Sequence, residues 1–147
     1  MGEADYIKEI LDKCGNVGFW KIAIKPGKPL AFGKIKDCYL FGLPGNPVSV
    51  IATFHKIVEP ALQYLSGITA KKSISIAATC TDSLTKEKGR QEYQRGILTQ
   101  TKTGEFFVKS AGKQGSNIMS AMSRANCYIV LASDSGGVSS GEKVVVE

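Results

Sequence analysis

The sequence predicts an α/β layer followed by an all-β unit. Helical and strand-type runs alternate closely up to Ser66, the pattern of a mixed layer. From Lys72 onward the apolar runs are short and bounded by turn residues, as in a small barrel or sandwich. Ser66-Gly67 separates the two textures, which places a domain boundary near Gly67 and divides the chain into 1–66 and 67–147.

The first element is expected to be an amphipathic helix over Glu3 to Cys14. Tyr6, Ile7, Ile10, Leu11 and Cys14 recur at helical spacing, acids occupy the first turn, and Gly15 stands where a C-terminal cap belongs. Phe19 to Lys25 reads as a strand that Pro26 stops, since proline offers the ladder no amide proton. Two short strands follow, near Leu30 to Ile35 and Cys38 to Leu43. Asn46 is a candidate N-cap and Pro47 a first helical residue for a second helix, whose apolar stripe is Val48, Ile51, Phe54, Val58, Leu62 and Leu65. Pro60 should kink or divide it, and Ser66-Gly67 ends it. The second unit offers strands at Ser73–Cys80, Glu92–Thr101, Phe106–Lys109, Cys127–Leu131 and Lys143–Val146, with a short helix around Ile118 to Ser123. A helix with no strand before it leaves few strands to cover two helices, so earlier strands of the sheet are expected to be missing.

Composition narrows the function. The 147 residues are 43% hydrophobic and 22% charged, a globular balance. No apolar run approaches the roughly 20 residues that span a bilayer, and no secretory signal opens the chain, so a cytoplasmic protein with no membrane role is expected. Cys14, Cys38, Cys80 and Cys127 are widely spaced with one histidine, His55, which argues against zinc and for reduced, inert thiols. The net charge of +6 is shared between the halves, with no basic run beyond Lys71-Lys72, which favours small anions over nucleic acid. P-loop, G-x-S-x-G and H-E-x-x-H motifs are all absent.

Side chains alternate along a strand, so Lys21, Ala23 and Lys25 share one face. In Lys25-Pro26-Gly27-Lys28, proline and glycine take the central positions of a type II turn that returns Lys28 toward Lys25. Three ammonium groups held close need an anion, a carboxylate or water between them; the plainer reading is a solvated sheet edge. The stiff corner Pro44-Gly45-Asn46-Pro47 leads into a helix start, a second place for an anion. In the second unit Arg95 could grip an oxyanion or pair with Glu92 or Glu87, and Ser116 could cap the short helix. His55 reads as structural.

The run Phe19-Trp20-Lys21-Ile22-Ala23-Ile24-Lys25-Pro26-Gly27-Lys28-Pro29-Leu30-Ala31-Phe32-Gly33, with Phe41-Gly42-Leu43-Pro44-Gly45-Asn46-Pro47-Val48-Ser49, resembles the molybdopterin molybdenumtransferases, the family of bacterial MoeA and the gephyrin E domain. Gly2 to Tyr6, Gly89 to Arg95, Gln114-Gly115-Ser116 and Arg124-Ala125-Asn126 extend the likeness over nearly the whole chain. The sequence departs from the commoner pattern at Asn117, Cys127 and Ala132.

The resemblance implies the C-terminal part of a molybdopterin-binding α/β domain followed by a small C-terminal β-barrel. It implies insertion of molybdate into adenylylated molybdopterin with magnesium and release of AMP, by a homodimer of which this chain alone would be an inactive fragment. Asp5, Lys21 and Lys25 would then be catalytic, with Asp5 also a magnesium ligand. Lys28, Pro44, Gly45, Pro47, Arg95 and Ser116 would bind substrate. The gephyrin likeness leaves a scaffold or peptide-binding module as the alternative.

Overall fold

The computed structural model describes residues 13, 15–19, 21–69, 73–115 and 118–147. The helix expected over Glu3 to Cys14 lies almost wholly outside them. The strand expected over Phe19 to Lys25 is two strands serving different sheets. β1 (Asn16–Phe19) pairs antiparallel with β3 (Ala31–Ile35), which pairs with β4 (Cys38–Gly42). β2 (Ile24–Lys25) instead joins the second unit. Alternation alone could not reveal this, because a strand that changes sheets keeps its period.

Asn46 caps α1 (Pro47–Thr53), its side-chain oxygen accepting the Val48 amide at 3.1 Å, with Pro47 first in the helix. The break expected at Pro60 is a π-helical segment, Phe54–Val58, that hands over to α2 (Glu59–Leu65). Pro60 thus falls in the first turn of a new helix, where its missing amide proton is not needed. The apolar stripe is buried only in part: Val48 and Val58 are covered, while Phe54, Leu62 and Leu65 are 39%, 44% and 45% exposed.

The second unit is a closed barrel of β5 (Ile76–Cys80), β7 (Gln91–Gln100), β8 (Phe106–Ser110), β9 (Cys127–Leu131) and β11 (Lys143–Val146), ordered β7-β8-β5-β11-β9 and back to β7. All five coincide, give or take a residue at an end, with the short strand-type runs expected from the sequence. Along β11, Val144 and Val146 are buried while Lys143 and Val145 face out. Inside pack Ala78, Cys80, Leu84, Val108, Ile129, Leu131, Val144 and Val146. Closure depends on β7, whose first half pairs with β9 and second half with β8, changing partner at Gly96. A Cβ there would lie 2.8 Å from an Ile129 carbon and 2.9 Å from the Cys127 sulfur, so only glycine lets the strand turn so close to its neighbours. The two-residue strands β6 (Leu84–Thr85) and β10 (Gly137–Val138) pair with each other and were too short to read from sequence.

α3 (Met119–Arg124) is the short helix expected near Ile118, but its cap position falls on Ile118, with no side-chain cap bond. No helix among the described residues is long and apolar enough to cross a membrane.

Candidate functional site

A cleft of about 840 Å³ opens where the loops of the first unit face the barrel. That is large enough for a cofactor-sized ligand. One wall is Lys25 to Pro29 with Pro44, Gly45, Asn46 and Ser49; the other is Asp82 to Thr85, Arg90, Glu92, Gln94, Ser110, Gln114 and Gly115.

The two walls meet through β2. Ile24 and Lys25 pair in parallel with Gln91 and Glu92, and the Gln91 amide donates to the Ala23 carbonyl at 3.0 Å. The Lys28 carbonyl accepts from the amides of Ile22 and Leu30, closing the intervening residues into a tight loop. Gly27 takes φ 112°, the positive value expected of it, but the Lys25–Pro26 bond is cis, a geometry the type II assignment does not include. Gly27 also lies against Thr53, whose hydroxyl donates to the Ser49 carbonyl at 2.7 Å, and a Cβ at Gly27 would collide with that hydroxyl. Helix α1 therefore props up the Lys25–Lys28 loop, and its N-terminal corner brings Pro44 and Gly45 beside it.

Charge in the cleft is asymmetric. Lys25, Lys28 and Arg90 face two carboxylates, Asp82 and Glu92, and both acids are engaged. Asp82 accepts the Ser110 amide at 2.7 Å. Glu92, 4% exposed, accepts the Gln94 side-chain amide at 3.0 Å and lies 3.3 Å from the Lys25 ammonium. A carboxylate is thus the partner of Lys25. Lys28 is exposed and Arg90 partly so, and both line the cleft.

The other expected site residues are placed as follows. Lys21 is exposed in the irregular stretch between β1 and β2, and Pro47 is exposed at the start of α1; neither lines the cleft. Asp5 and Ser116 lie outside the described residues. Arg95 is 1% exposed and pairs with neither Glu92 nor Glu87. Its Nη2 donates to the carbonyls of Lys113 and Gly115 at 3.3 and 3.1 Å, while Nε is buried without a partner. Burial holds the Arg95 guanidinium below its usual range, partly offset by Tyr128 and Glu92. The Gln114 side chain completes this clasp, accepting the Arg95 amide at 2.8 Å and donating to the Arg95 carbonyl at 3.0 Å, so Gln114 and Gly115 are fixed at the cleft edge. Sequence reading missed Glu92, Gln94, Arg90 and Asp82 as cleft residues. The first three belong to the Gly89 to Arg95 motif, whose alternation could have set Glu92 and Gln94 on one face.

Among the described residues no group of three or more His, Cys, Asp and Glu side chains could hold a metal ion. Cys38, Cys80 and Cys127 are free thiols.

Two family models match the chain: the probable molybdopterin binding domain over residues 1–64, and the MoeA C-terminal region (domain IV) over residues 77–147. A molybdopterin molybdenumtransferase of Haemophilus influenzae is 47% identical over the whole chain, which covers 37% of that protein. Gephyrin of Dictyostelium discoideum is 33% identical over 98% of the chain, which covers 23% of it. The chain therefore spans about a third or less of the length of these relatives. A solved molybdopterin biosynthesis MoeA protein from Pyrococcus horikoshii superposes with a TM-score of 0.77 at 26% identity, over 97% of this chain and 34% of that one. A molybdenum cofactor biosynthesis protein from Pyrococcus furiosus gives 0.74 at 28% identity, over 95% and 51%. Two consecutive family regions in one chain, with a fold shared by solved members, make this chain a member of the molybdopterin molybdenumtransferase family.

Proposed function

We propose that the cleft binds a tetrahedral oxyanion and its phosphorylated partner in molybdenum cofactor biosynthesis, the reaction being insertion of molybdate into adenylylated molybdopterin with release of AMP. The observation that carries this reading is the convergence of Lys25-Pro26-Gly27-Lys28 and Pro44-Gly45-Asn46 on one cleft, with Arg90 opposite. Lys25 and Lys28 attract the anion and offset the negative charge that gathers as the anhydride is cleaved. Pro44 and Gly45 give the pocket a stiff wall. Arg95 acts by holding Gly115 at the cleft edge, and Lys21 steers anions from outside it. Roles for Asp5 and Ser116 rest on the family resemblance alone.

Magnesium belongs to the proposed reaction, but the described carboxylates do not form a site for it. Asp82 and Glu92 are each committed to other partners. Thus no step here is routed through a metal. Assembly as a cytoplasmic homodimer is part of the same proposal.

Titration with molybdate or tungstate tests the reading. Binding that weakens about tenfold in Lys25→Ala and in Lys28→Ala supports it, from the loss of one cation near the ligand. Affinity unchanged in both variants overturns it. Restoration of cofactor synthesis to a deficient strain, by a full-length protein carrying this chain, tests the reaction itself.

A further inference from the structure

Of the two carboxylates in the cleft wall, Glu92 is the buried one, and oxyanion binding does not explain it. A buried carboxylate in the wall of a pocket for anions opposes its ligand, since like charges a few ångströms apart in a partly desolvated site repel. Removing a carboxylate from water is itself costly unless its oxygens are satisfied. Here they are: Oε1 accepts the Gln94 amide at 3.0 Å, and Oε2 faces the Lys25 ammonium at 3.3 Å. The same Gln94 amide is anchored on the Thr85 carbonyl at 3.3 Å. The carboxylate is therefore fixed by β7 and β6 and cannot swing away when an anion arrives. Lys25 differs: its side chain is 43% exposed against 5% for that of Glu92, so one end of the pair is free to respond and the other is not.

We propose that Glu92 is a positioning residue that sets the direction of the Lys25 ammonium and restrains the cleft's affinity for oxyanions, so that a bound anion is held loosely enough to be passed on. This deepens the oxyanion reading of the cleft and rests on it. The ion pair with the fixed Glu92 carboxylate holds the Lys25 ammonium at the cleft wall. Any anion it holds also feels that carboxylate. An opposing charge felt equally by the bound anion and by later states lowers affinity without changing the chemical step, so what the fixed carboxylate sets is how tightly the anion is held. Gln94 is the outer support of this arrangement, because without its amide Oε1 of Glu92 would be buried and unpaired.

The experiment compares the unaltered chain with Glu92→Gln, Glu92→Asp and Lys25→Ala, using molybdate, tungstate and phosphate as probes in calorimetric titration. Glu92→Gln keeps the shape and removes the charge, and it is expected to bind the anions about tenfold more tightly. Glu92→Asp keeps the charge and should not gain affinity. The Lys25 ammonium resonance in nitrogen-correlated NMR, held sharp by the pair, should broaden in Glu92→Gln while the backbone spectrum stays unchanged. A merely structural residue could lose affinity on substitution but would not gain it. If the unaltered chain binds, Lys25→Ala weakens binding and Glu92→Gln does not strengthen it, this inference falls while the oxyanion reading stands. If neither the unaltered chain nor Glu92→Gln binds any of the three anions, both fall together.

Discussion

Lys25 and Glu92 are neighbours twice over: they stand opposite each other in the β2–β7 ladder, and their side chains meet at 3.3 Å. The pair therefore joins the loop that carries the cationic motif to the strand on which barrel closure depends. Lys25→Met would leave the Glu92 carboxylate buried with only Gln94, and a loss of about 1–2 kcal/mol is expected, moderated because Lys25 is partly exposed. Adding Glu92→Gln removes the stranded charge and should recover at least half of it. Urea unfolding of the two single variants and the double one checks this through the coupling between them. Strict additivity would show that the ion pair contributes nothing to stability.

Arg95 holds the segment that brings Gly115 to the cleft. Arg95→Ala strands the carbonyls of Lys113 and Gly115 and empties a fully buried volume, so a destabilisation of about 2–4 kcal/mol is expected. The loss should be local first. Hydrogen exchange at Gln114 and Gly115 is expected to speed up more than exchange at Ile129 or Val146 in the barrel core. Uniform acceleration across the barrel would mean that Arg95 supports the whole fold and not this segment.

Gly27 is constrained from two directions. Its φ of 112° is unfavourable for any side chain, and a methyl group would meet the Thr53 hydroxyl. Gly27→Ala is expected to cost about 2 kcal/mol or more and to displace Lys25 and Lys28, weakening oxyanion binding. Thr53→Ala in the same chain removes the collision but not the dihedral penalty, so it should restore stability only in part. Full restoration would assign the whole effect to the contact.

These residues also show how far sequence reading reaches. The barrel strands were legible because each is a short apolar or β-branched run bounded by turn residues, a local signal that closure leaves intact. The helix start at Asn46-Pro47 was legible because capping is local chemistry. The tight turn and the rigid corner were each legible as short-range features; that both line one cleft is given by the structure. What could not be read depends on partners distant in sequence. The β1–β2 break arises because Lys25 pairs with Glu92 and not with β3, and Arg95 was expected to meet an anion but is buried under carbonyls 18 and 20 residues away. Exposure of Phe54 and Leu62 likewise depends on what packs against the helix, which periodicity does not specify.

Four groups, Cys80 buried and Cys127, Tyr93 and Tyr128 half-buried, predict a sensitivity to alkali. Burial pushes the thiols of Cys80 and Cys127 and the phenols of Tyr93 and Tyr128 above their usual ranges. The folded chain then keeps these protons at a pH where the unfolded chain has begun to lose them, so proton release favours unfolding. Their contribution is fully present below the ordinary thiol range, declines as pH rises beyond about 8.5 and declines further beyond about 10. Thermal midpoints should therefore fall steadily between neutral pH and pH ~10.5, apart from irreversible damage checked by rescanning. At pH 8, Cys38, which is exposed, should react with a thiol reagent well before Cys80 or Cys127. Equal rates for all three would contradict the burial of Cys80.

Lys56 links the π-helical segment to the barrel, and its removal gives the most direct test of how tightly the two are joined. Its ammonium forms an ion pair with Glu147 and lies 5.1 Å from the ring centres of both Tyr93 and Tyr128, with the side chain only 11% exposed. His55 adds an edge contact to Tyr128 from the same segment. Such a cation between two rings and a carboxylate is worth more than a surface pair, because water is largely displaced and each ring adds an attraction of its own. Lys56→Ala is expected to destabilise the fold by about 2 kcal/mol, whereas Glu147→Gln, which leaves the rings in place, should cost about half as much. Lys56→Arg retains the charge and can lie flat on the rings, so it should stay within about 1 kcal/mol of the unaltered chain. Far-ultraviolet and near-ultraviolet unfolding curves separate the outcomes. If Lys56→Ala loosens only the attachment of the helix, helical signal melts before the barrel's tyrosine signal; if the contact is part of one cooperative unit, the two curves shift together. A midpoint unchanged in Lys56→Ala would show that this ammonium binds its surroundings no better than water does.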